Sequence, residues 1–275
     1  MVNLLEAGKR GQYADVHLAG GLMAGCASQP EPQPVANYTN DFSAVTGVVR
    51  RAVVAGLTAV DPAAYGGWAG SCPGCDVDAD TFAMLCREQG LQVSLHMNAQ
   101  ATKANLEAAA RAACTGMRAG DLLVLYVSGH GGQVDDGDPT EADGLSETLC
   151  LWDGQMTDTY LSTVLAEIPP GVRVFFVTDT CNSGTNYRRR SYRAAVPAPF
   201  RAALIHYGGC ADGQSSFGGP QGGVFTTALI DAWSETGTYR SWFTNAAALM
   251  PGTQVAVYEE FGTVTEAFRN GRALE

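Results

Sequence analysis

The chain has 275 residues, a formal net charge of −11 at neutral pH, 46% hydrophobic residues and 16% charged residues. This length allows one large α/β domain or two small domains with a buried core, and the composition excludes a disordered chain. The negative charge argues against a protein that binds nucleic-acid phosphates, because such proteins depend on clustered Lys and Arg.

Apolar runs alternate with helical patterns along the chain, which predicts an α/β fold with a mostly parallel six-stranded sheet flanked by helices. The predicted strands are residues 16–24, 91–96, 122–128, 172–178, 202–208 and 253–258. The predicted helices are residues 41–55, 101–117, 158–168 and 223–233. The first helix is predicted from Asp41 as an N-cap and from valines at helical spacing. In such a fold, functional residues lie beyond the carboxyl ends of the strands.

The N-terminal region contains a short sequence, from Leu22 to Cys26, that is similar to a lipoprotein cleavage site. Asp15 and His17 interrupt the apolar stretch that such a signal needs, so we favour a buried strand and leave lipidation of Cys26 open. No apolar run approaches the roughly eighteen residues of a membrane span. We therefore expect a cytoplasmic protein with no membrane partner.

The eight cysteines are scattered over a chain that is too large to need disulfide staples, so we predict mostly buried thiols. Cys72 and Cys75 form a single Cys-x-x-Cys in a loop rich in Gly and Pro. A second such pair or a nearby His pair would be needed to complete a tetrahedral zinc site, and the sequence offers neither. Zinc is therefore not favoured.

Two segments depart from the alternation of strands and helices, and both follow predicted strands directly. Residues 129–144 are acidic and rich in glycine, and they overlap an acidic run from Asp135 to Asp153. Residues 182–200 are basic and contain Arg188, Arg189, Arg190 and Arg193. Long loops in such positions are often functional, and a solvated charged loop is the alternative interpretation of each.

His130 and Cys181 each follow one of the predicted strands closely, and His130 is flanked by glycines. If these strands are neighbours in a parallel sheet, the two side chains meet, as a Cys–His pair requires for thiolate attack and proton transfer. The glycines leave backbone N–H groups free to stabilise an oxyanion, and Gly131 is the candidate donor. Taken singly, His130 is interpreted as an ordinary core or surface residue and Cys181 as an inert buried thiol.

Three segments resemble the metacaspases, including their prokaryotic relatives, the orthocaspases. They are Tyr126 to Gly132, the acidic run that ends in Cys150-Leu151-Trp152-Asp153, and Asp179-Thr180-Cys181-Asn182-Ser183-Gly184. Cys181 follows His130 by 51 positions, close to the spacing of about 50 in caspases. The segment from Gly209 to Ser216, with Gly223 to Thr226 after it, resembles the start of the small-subunit region of that family.

The resemblance implies a caspase–haemoglobinase fold in a single peptidase domain over residues 1–275. Within it, residues 1–187 would form a large-subunit-like region, residues 188–200 a basic linker and residues 201–275 a small-subunit-like region. The family's dyad falls on His130 and Cys181.

The resemblance also implies a specificity pocket. The family's pocket acid falls on Asp179 and its pocket serine on Ser128. The segment from Asn37 to Asp41 resembles the family's Cys-x-x-Asp pocket element, with tyrosine in place of cysteine and Asp41 as the second acid. A carboxylate on the pocket floor suits an Arg or Lys side chain of the substrate, and capping is the alternative role for both acids.

These features predict a cysteine endopeptidase that cleaves after Arg or Lys and needs no cofactor for its chemistry. Protein or peptide substrates are its expected partners, nucleic acid is not, and the resemblance implies a monomer. The basic loop is predicted to be cut after Arg188, Arg189, Arg190 or Arg193, by the enzyme itself or by an upstream activating protease.

Calcium is a candidate activator, because many metacaspases require it and the acidic run offers oxygen ligands. That run lacks the regular spacing of a calcium loop, so we assign no metal ligand. Two alternatives stay open for the function. One is a catalytically silent scaffold with a caspase-like fold, and the other is a protease of the same clan with a different specificity for the residue before the cleaved bond.

Overall fold

The computed structural model describes residues 42, 47–135, 145–181, 200–211 and 216–275. The chain divides into two units, residues 1–38, which lie outside these ranges, and Thr39–Glu275. Several predicted features also lie outside the described residues: the strand at 16–24, Cys26, Asp41, Arg188, Arg189, Arg190 and Arg193. The single domain over the whole chain and its subdivision stay predictions.

The described residues form strands and helices in alternation. The strands are β1 (Arg50–Gly56), β2 (Gln92–Met97), β3 (Leu122–Ser128), β4 (His130–Val134), β5 (Ser146–Leu151), β6 (Gly154–Thr157), β7 (Arg173–Asp179), β8 (Ala203–Gly208), β9 (Gly218–Gly219), β10 (Gly222–Gly223) and β11 (Val257–Gly262). The α-helices are α1 (Cys75–Glu88), α2 (Lys103–Cys114), α3 (Asp158–Ala166), α4 (Val224–Asp231), α5 (Tyr239–Leu249) and α6 (Glu266–Arg269).

Six of the described strands form one sheet in the order β11-β8-β7-β3-β1-β2. All neighbours are parallel except β11, which is antiparallel to β8. The predicted mostly parallel six-stranded sheet is therefore confirmed. Alternate residues of the central strands enter two separate cores, one packed against α1, α4 and α5 and the other against α2 and α3. This two-sided burial is typical of a parallel sheet between layers of helices.

The predicted helix over residues 41–55 is wrong in its second half, which forms the central strand β1. Every residue from Arg51 to Gly56 is buried, because helices cover both faces of the sheet there. Such a strand has a continuous apolar run, and periodicity alone does not separate it from a buried helix. The adjacent β-branched residues Val53 and Val54 favour a strand.

The other predicted strands of the sheet within the described ranges are found. Four of them, β2, β3, β7 and β8, begin and end within one residue of the predicted bounds. The fifth, β11, lies four residues later in the chain than predicted. The helices predicted at 101–117, 158–168 and 223–233 are α2, α3 and α4, each shorter than predicted. Residues 130–134 were expected to be loop but form β4, which pairs with β5. Among the described residues, no helix has the length and apolar character needed to cross a membrane.

Candidate active site

The carboxyl ends of β3 and β7 lie side by side, with Ser128 opposite Asp179 in the parallel register. His130 begins the strand that follows β3, and Cys181 comes just after β7. Both residues line one cavity of about 180 Å³, which we call the catalytic cleft. The strand order therefore brings together the two residues that the sequence singled out as a dyad.

A backbone carbonyl orients the imidazole of His130. Its Nε2 atom lies 3.2 Å from the carbonyl oxygen of Ser71. A carbonyl oxygen only accepts hydrogen bonds, so Nε2 carries the proton and Nδ1 is left with the lone pair that takes a proton from a thiol. The ring of Trp68 packs against the imidazole with centroids 4.9 Å apart. Sequence reasoning missed Ser71 and Trp68, because neither belongs to a motif of catalytic residue types.

Gly131 lies where β4 passes the nucleophile. A Cβ atom at this position would collide with the backbone oxygen of Cys181 and lie 3.2 Å from the side-chain oxygen of Thr180. Only glycine allows such a close approach of the two backbones. The role of Gly131 as an oxyanion donor stays a prediction.

Two buried aspartates line the catalytic cleft beside the dyad. The carboxylate of Asp179 accepts hydrogen bonds from Ser216 Oγ (2.5 Å), Thr226 N (3.0 Å) and Thr226 Oγ1 (2.7 Å). The other aspartate is Asp78, on the first turn of α1, and its carboxylate accepts from Ser128 Oγ (2.8 Å) and from a backbone N–H (2.7 Å). Ser128 thus lines the same cleft and donates a hydrogen bond to Asp78, while its role in a specificity pocket stays a prediction.

The two carboxylates converge on Gly223. A Cβ atom at this position would lie 3.0 Å from Asp78 Oδ2 and would collide with Asp179 Oδ2. Burial, with a further contribution from the Asp179 carboxylate, raises the pKa of Asp78 to about 7. Burial also raises the pKa of Asp179, against the lowering effect of its hydrogen bonds from Ser216 and Thr226. The pocket therefore concentrates negative charge that no cationic side chain of the described residues neutralises by an ion pair.

The structure shows a candidate second pocket acid that the sequence analysis did not name. Asp41 is outside the described residues, so its assignment stays a prediction, and the acid beside Asp179 in the described residues is Asp78. The signal was present in the sequence, because Cys75-Asp76-Val77-Asp78 spells the Cys-x-x-Asp element directly. It was missed because residues 50–55 were assigned to a helix. With that segment as β1, the next helix is α1, and its first turn carries the element.

The prediction of mostly buried thiols is wrong for Cys72 and Cys75, which form a disulfide on the wall of the catalytic cleft. It is correct for Cys86, Cys150 and Cys210, which are buried thiols outside any disulfide. Within the described ranges, no group of three or more His, Cys, Asp or Glu side chains is arranged to hold a metal ion. Residues 136–144 of the acidic run lie outside those ranges, so calcium binding stays a prediction.

Residues 51–267 match the model of the caspase domain family. Metacaspase-3 of Arabidopsis thaliana is 29% identical over 224 residues, which cover 68% of this chain and 60% of that protein. Metacaspase-1 of Mycosarcoma maydis is 29% identical over 170 residues, which cover 57% of this chain and 40% of that protein. The chain thus spans only part of the length of these metacaspases.

Two solved structures are similar to the fold. The crystal structure of protein GSU0716 from Geobacter sulfurreducens matches with a TM-score of 0.74 at 33% identity and covers 82% of this chain and 98% of that one. Caspase-1 from Spodoptera frugiperda matches with a TM-score of 0.56 at 16% identity and covers 85% of this chain and 93% of that one. The second likeness concerns the fold alone.

Proposed function

Because this chain belongs to the caspase domain family, we propose that it is a cysteine endopeptidase with Cys181 as nucleophile and His130 as general base. The Nδ1 atom of His130 takes the thiol proton, and the thiolate attacks the carbonyl carbon of the peptide bond. The same imidazole then gives the proton to the leaving amine. Water hydrolyses the resulting thioester and restores the thiol. Gly131 is the proposed N–H donor to the oxyanion that forms in both steps.

We propose further that the enzyme cleaves after Arg or Lys. The observation that carries this proposal is the convergence of Asp78 and Asp179 on one point of the cleft that holds the dyad. Burial, with a further contribution from the nearby Asp179 carboxylate, raises the pKa of Asp78. A guanidinium or ammonium group placed between the two acids restores both charges and gains two ionic hydrogen bonds. The pocket is therefore complementary to a cation.

The test is cleavage of matched peptide reporters that differ only in the residue before the cleaved bond: Arg, Lys, Asp and Leu. We expect kcat/KM to be highest for Arg and Lys and close to background for Asp, with no cleavage by Cys181→Ala. A preference for Asp would refute the proposed pocket, and a preference for Leu would favour a related protease of different specificity. A folded wild type that cleaves none of them would favour a silent scaffold.

Activation by cleavage in the basic loop is a separate proposal. It is supported by the match between the side chain that the pocket is proposed to select and the side chains of Arg188, Arg189, Arg190 and Arg193. Incubation of purified wild type with and without Ca²⁺, followed by fragment mass measurement, is the test. Cuts after these arginines that are absent in Cys181→Ala would indicate self-processing. Cuts that appear only after addition of a second protease would indicate processing by a partner.

A further inference from the structure

The disulfide between Cys72 and Cys75 does not serve mainly to stabilise the fold. The two cysteines are separated by 3 positions in the sequence. A cross-link stabilises a protein chiefly through the length of chain that it closes, so this short segment gains little. A chain of this size also buries a core large enough to fold without disulfides. The disulfide therefore needs another explanation, and its position on the wall of the catalytic cleft supplies one.

The disulfide connects two parts of the site. Ser71, immediately before Cys72, contributes the carbonyl oxygen that lies 3.2 Å from His130 Nε2. Cys75 is the first residue of α1, and Asp78 lies on the first turn of that helix. The cross-link thus ties the segment that orients the catalytic base to the helix that carries a pocket acid.

The two cysteine residues differ in their exposure to solvent. Cys72 is half-buried and lies between the exposed residues Ser71 and Pro73. Cys75 is only 6% exposed. An attacking thiolate therefore reaches the sulfur of Cys72 and displaces the sulfur of Cys75.

Building on the proposed peptidase function, we propose that Cys72 and Cys75 form a redox-active disulfide that dithiol reductants open, and that opening it slows catalysis by loosening the hold on His130. One thiolate of the reductant attacks Cys72 Sγ, the disulfide bond breaks, and Cys75 leaves as a thiolate that takes up a proton. The second thiol of the reductant attacks the mixed disulfide and releases Cys72 as a thiol. Two electrons pass to the cysteine pair, and the reductant becomes a cyclic disulfide.

The expected effect falls on kcat more than on KM. With the bond open, the segment before Cys72 loses its side-chain cross-link to α1 and stays connected to that helix by the peptide chain through Pro73 and Gly74. It keeps the backbone hydrogen bond from Cys72 N to Thr58 O (2.8 Å). The carbonyl of Ser71 then holds the imidazole of His130 less firmly. The pocket acids retain their own hydrogen bonds, such as that from Ser128 to Asp78, so substrate binding changes little.

The test measures cleavage at defined ratios of reduced to oxidised dithiothreitol. Differential alkylation and mass spectrometry report the state of the pair and the fraction of Cys181 that is a free thiol, and kcat is expressed per free Cys181. We expect kcat for an Arg reporter to fall by about three- to ten-fold as the pair is reduced, with KM within about two-fold. Cys72→Ser should show the low kcat at every ratio. Cys114→Ser, which changes a free cysteine outside the cleft, should follow wild type.

A second measurement does not depend on cleavage. In Cys181→Ala, the imidazole resonances of His130, assigned by comparison with His130→Gln, should differ between the disulfide and dithiol states of the pair. If no reporter is cleaved in any state, the proposed peptidase function fails. The resonances alone then show whether opening the disulfide changes the environment of His130. A pair that dithiothreitol leaves oxidised in the folded protein would overturn the inference. So would a kcat per free Cys181, or His130 resonances, that do not change with the state of the pair.

Discussion

Two cavities of this molecule border the same sheet and differ in size and chemistry. The larger, about 290 Å³, is lined by α2, α3 and the middle of the central strands, and we call it the apolar cavity. Aliphatic side chains such as those of Leu106, Leu161 and Val164 dominate its lining. The catalytic cleft is smaller, about 180 Å³, yet it holds the dyad and both pocket acids. Volume and apolar lining therefore point to the wrong cavity, and the convergence of titratable groups identifies the candidate active site.

The difference follows from where each cavity meets the sheet. In the middle of a buried strand, side chains alternate between two apolar cores, so a gap there is lined by hydrocarbon. At the carboxyl end the chain leaves the sheet, and the strands hold polar residues in place around the cleft. Asp179, the last residue of β7, and His130, just beyond β3, are examples. The following predictions are given in order of decreasing effect.

The largest effect is expected from loss of the dyad. Cys181→Ala and His130→Ala should each reduce cleavage of an Arg reporter to background, and the double variant should be no worse, because the two residues act as one proton-transfer unit. Cys114→Ser, which alters the lining of the apolar cavity, should leave kcat/KM within about two-fold of wild type. Substantial turnover by folded Cys181→Ala would mean that the catalytic cleft is not the site of cleavage as proposed, and it would no longer differ from the apolar cavity in function.

The pocket acids should have the next largest effect. Asp78→Asn and Asp179→Asn keep the shape of each side chain and remove a charge, so kcat/KM for Arg reporters should fall by about 100-fold, or about 2.7 kcal/mol. Asp41→Asn is the matched control, because Asp41 was the other candidate for the second acid. Its kcat/KM should stay within about three-fold of wild type. A greater loss in Asp41→Asn than in Asp78→Asn would restore the assignment made from sequence.

The substitution Asp78→Asn should lower activity but raise the free energy of unfolding at high pH. Its pKa is about 7 in the folded protein against an ordinary value of 3.8, so the folded state binds the proton more tightly. The carboxyl group of Asp78 therefore stabilises the fold below about pH 4, and this stabilisation is lost as the pH rises to about 7. Asn does not ionise, so Asp78→Asn does not lose stability in this pH range. Urea unfolding at pH 8 should show it to be more stable than wild type by about 1 kcal/mol or more.

At pH 4 most of the advantage of Asp78→Asn should disappear, because the wild-type carboxyl is then protonated in the folded state and, with an ordinary pKa of 3.8, partly protonated in the unfolded state. Asp121→Asn serves as the control, since Asp121 is a buried aspartate outside the cleft that accepts hydrogen bonds from Val49 N (2.8 Å) and Arg118 N (2.7 Å). It should gain no stability at pH 8. Equal stability of Asp78→Asn and wild type at both pH values would mean that the pKa of Asp78 is not raised in the folded protein.

The smallest effect is expected in the apolar cavity. Leu161→Met conserves volume and adds flexibility beside the cavity, so it should change the free energy of unfolding by less than about 1.5 kcal/mol. The kcat/KM of the folded variant should equal that of wild type, because no group that transfers a proton is touched. Thermal unfolding and reporter cleavage on the same sample measure both quantities. A large loss of kcat/KM without unfolding would assign the apolar cavity a part in catalysis.

Much of the sheet was predictable, because strands such as 122–128 are marked by contiguous apolar residues with polar or glycine-rich ends. The error at β1 has a physical cause in the same burial, since a strand covered on both faces loses the alternation that identifies strands. The same error hid the start of α1, whose first turn carries Asp78. The choice between Asp41 and Asp78 as the second acid stays open to the test above.

The sequence by itself determined His130 and Cys181 as candidates, because each follows a recognisable strand and the chemistry of each is local, and the resemblance to the metacaspases added Asp179. Only the tertiary structure decided what surrounds them. Asp78 accepts a hydrogen bond from Gly223, 145 positions later in the chain, and no short-range pattern records such a contact. Cys72 and Cys75 are close in sequence, and the sequence analysis still did not predict the disulfide between them. Its meaning depends on the proximity of Ser71 to His130, which exists only after the chain has folded.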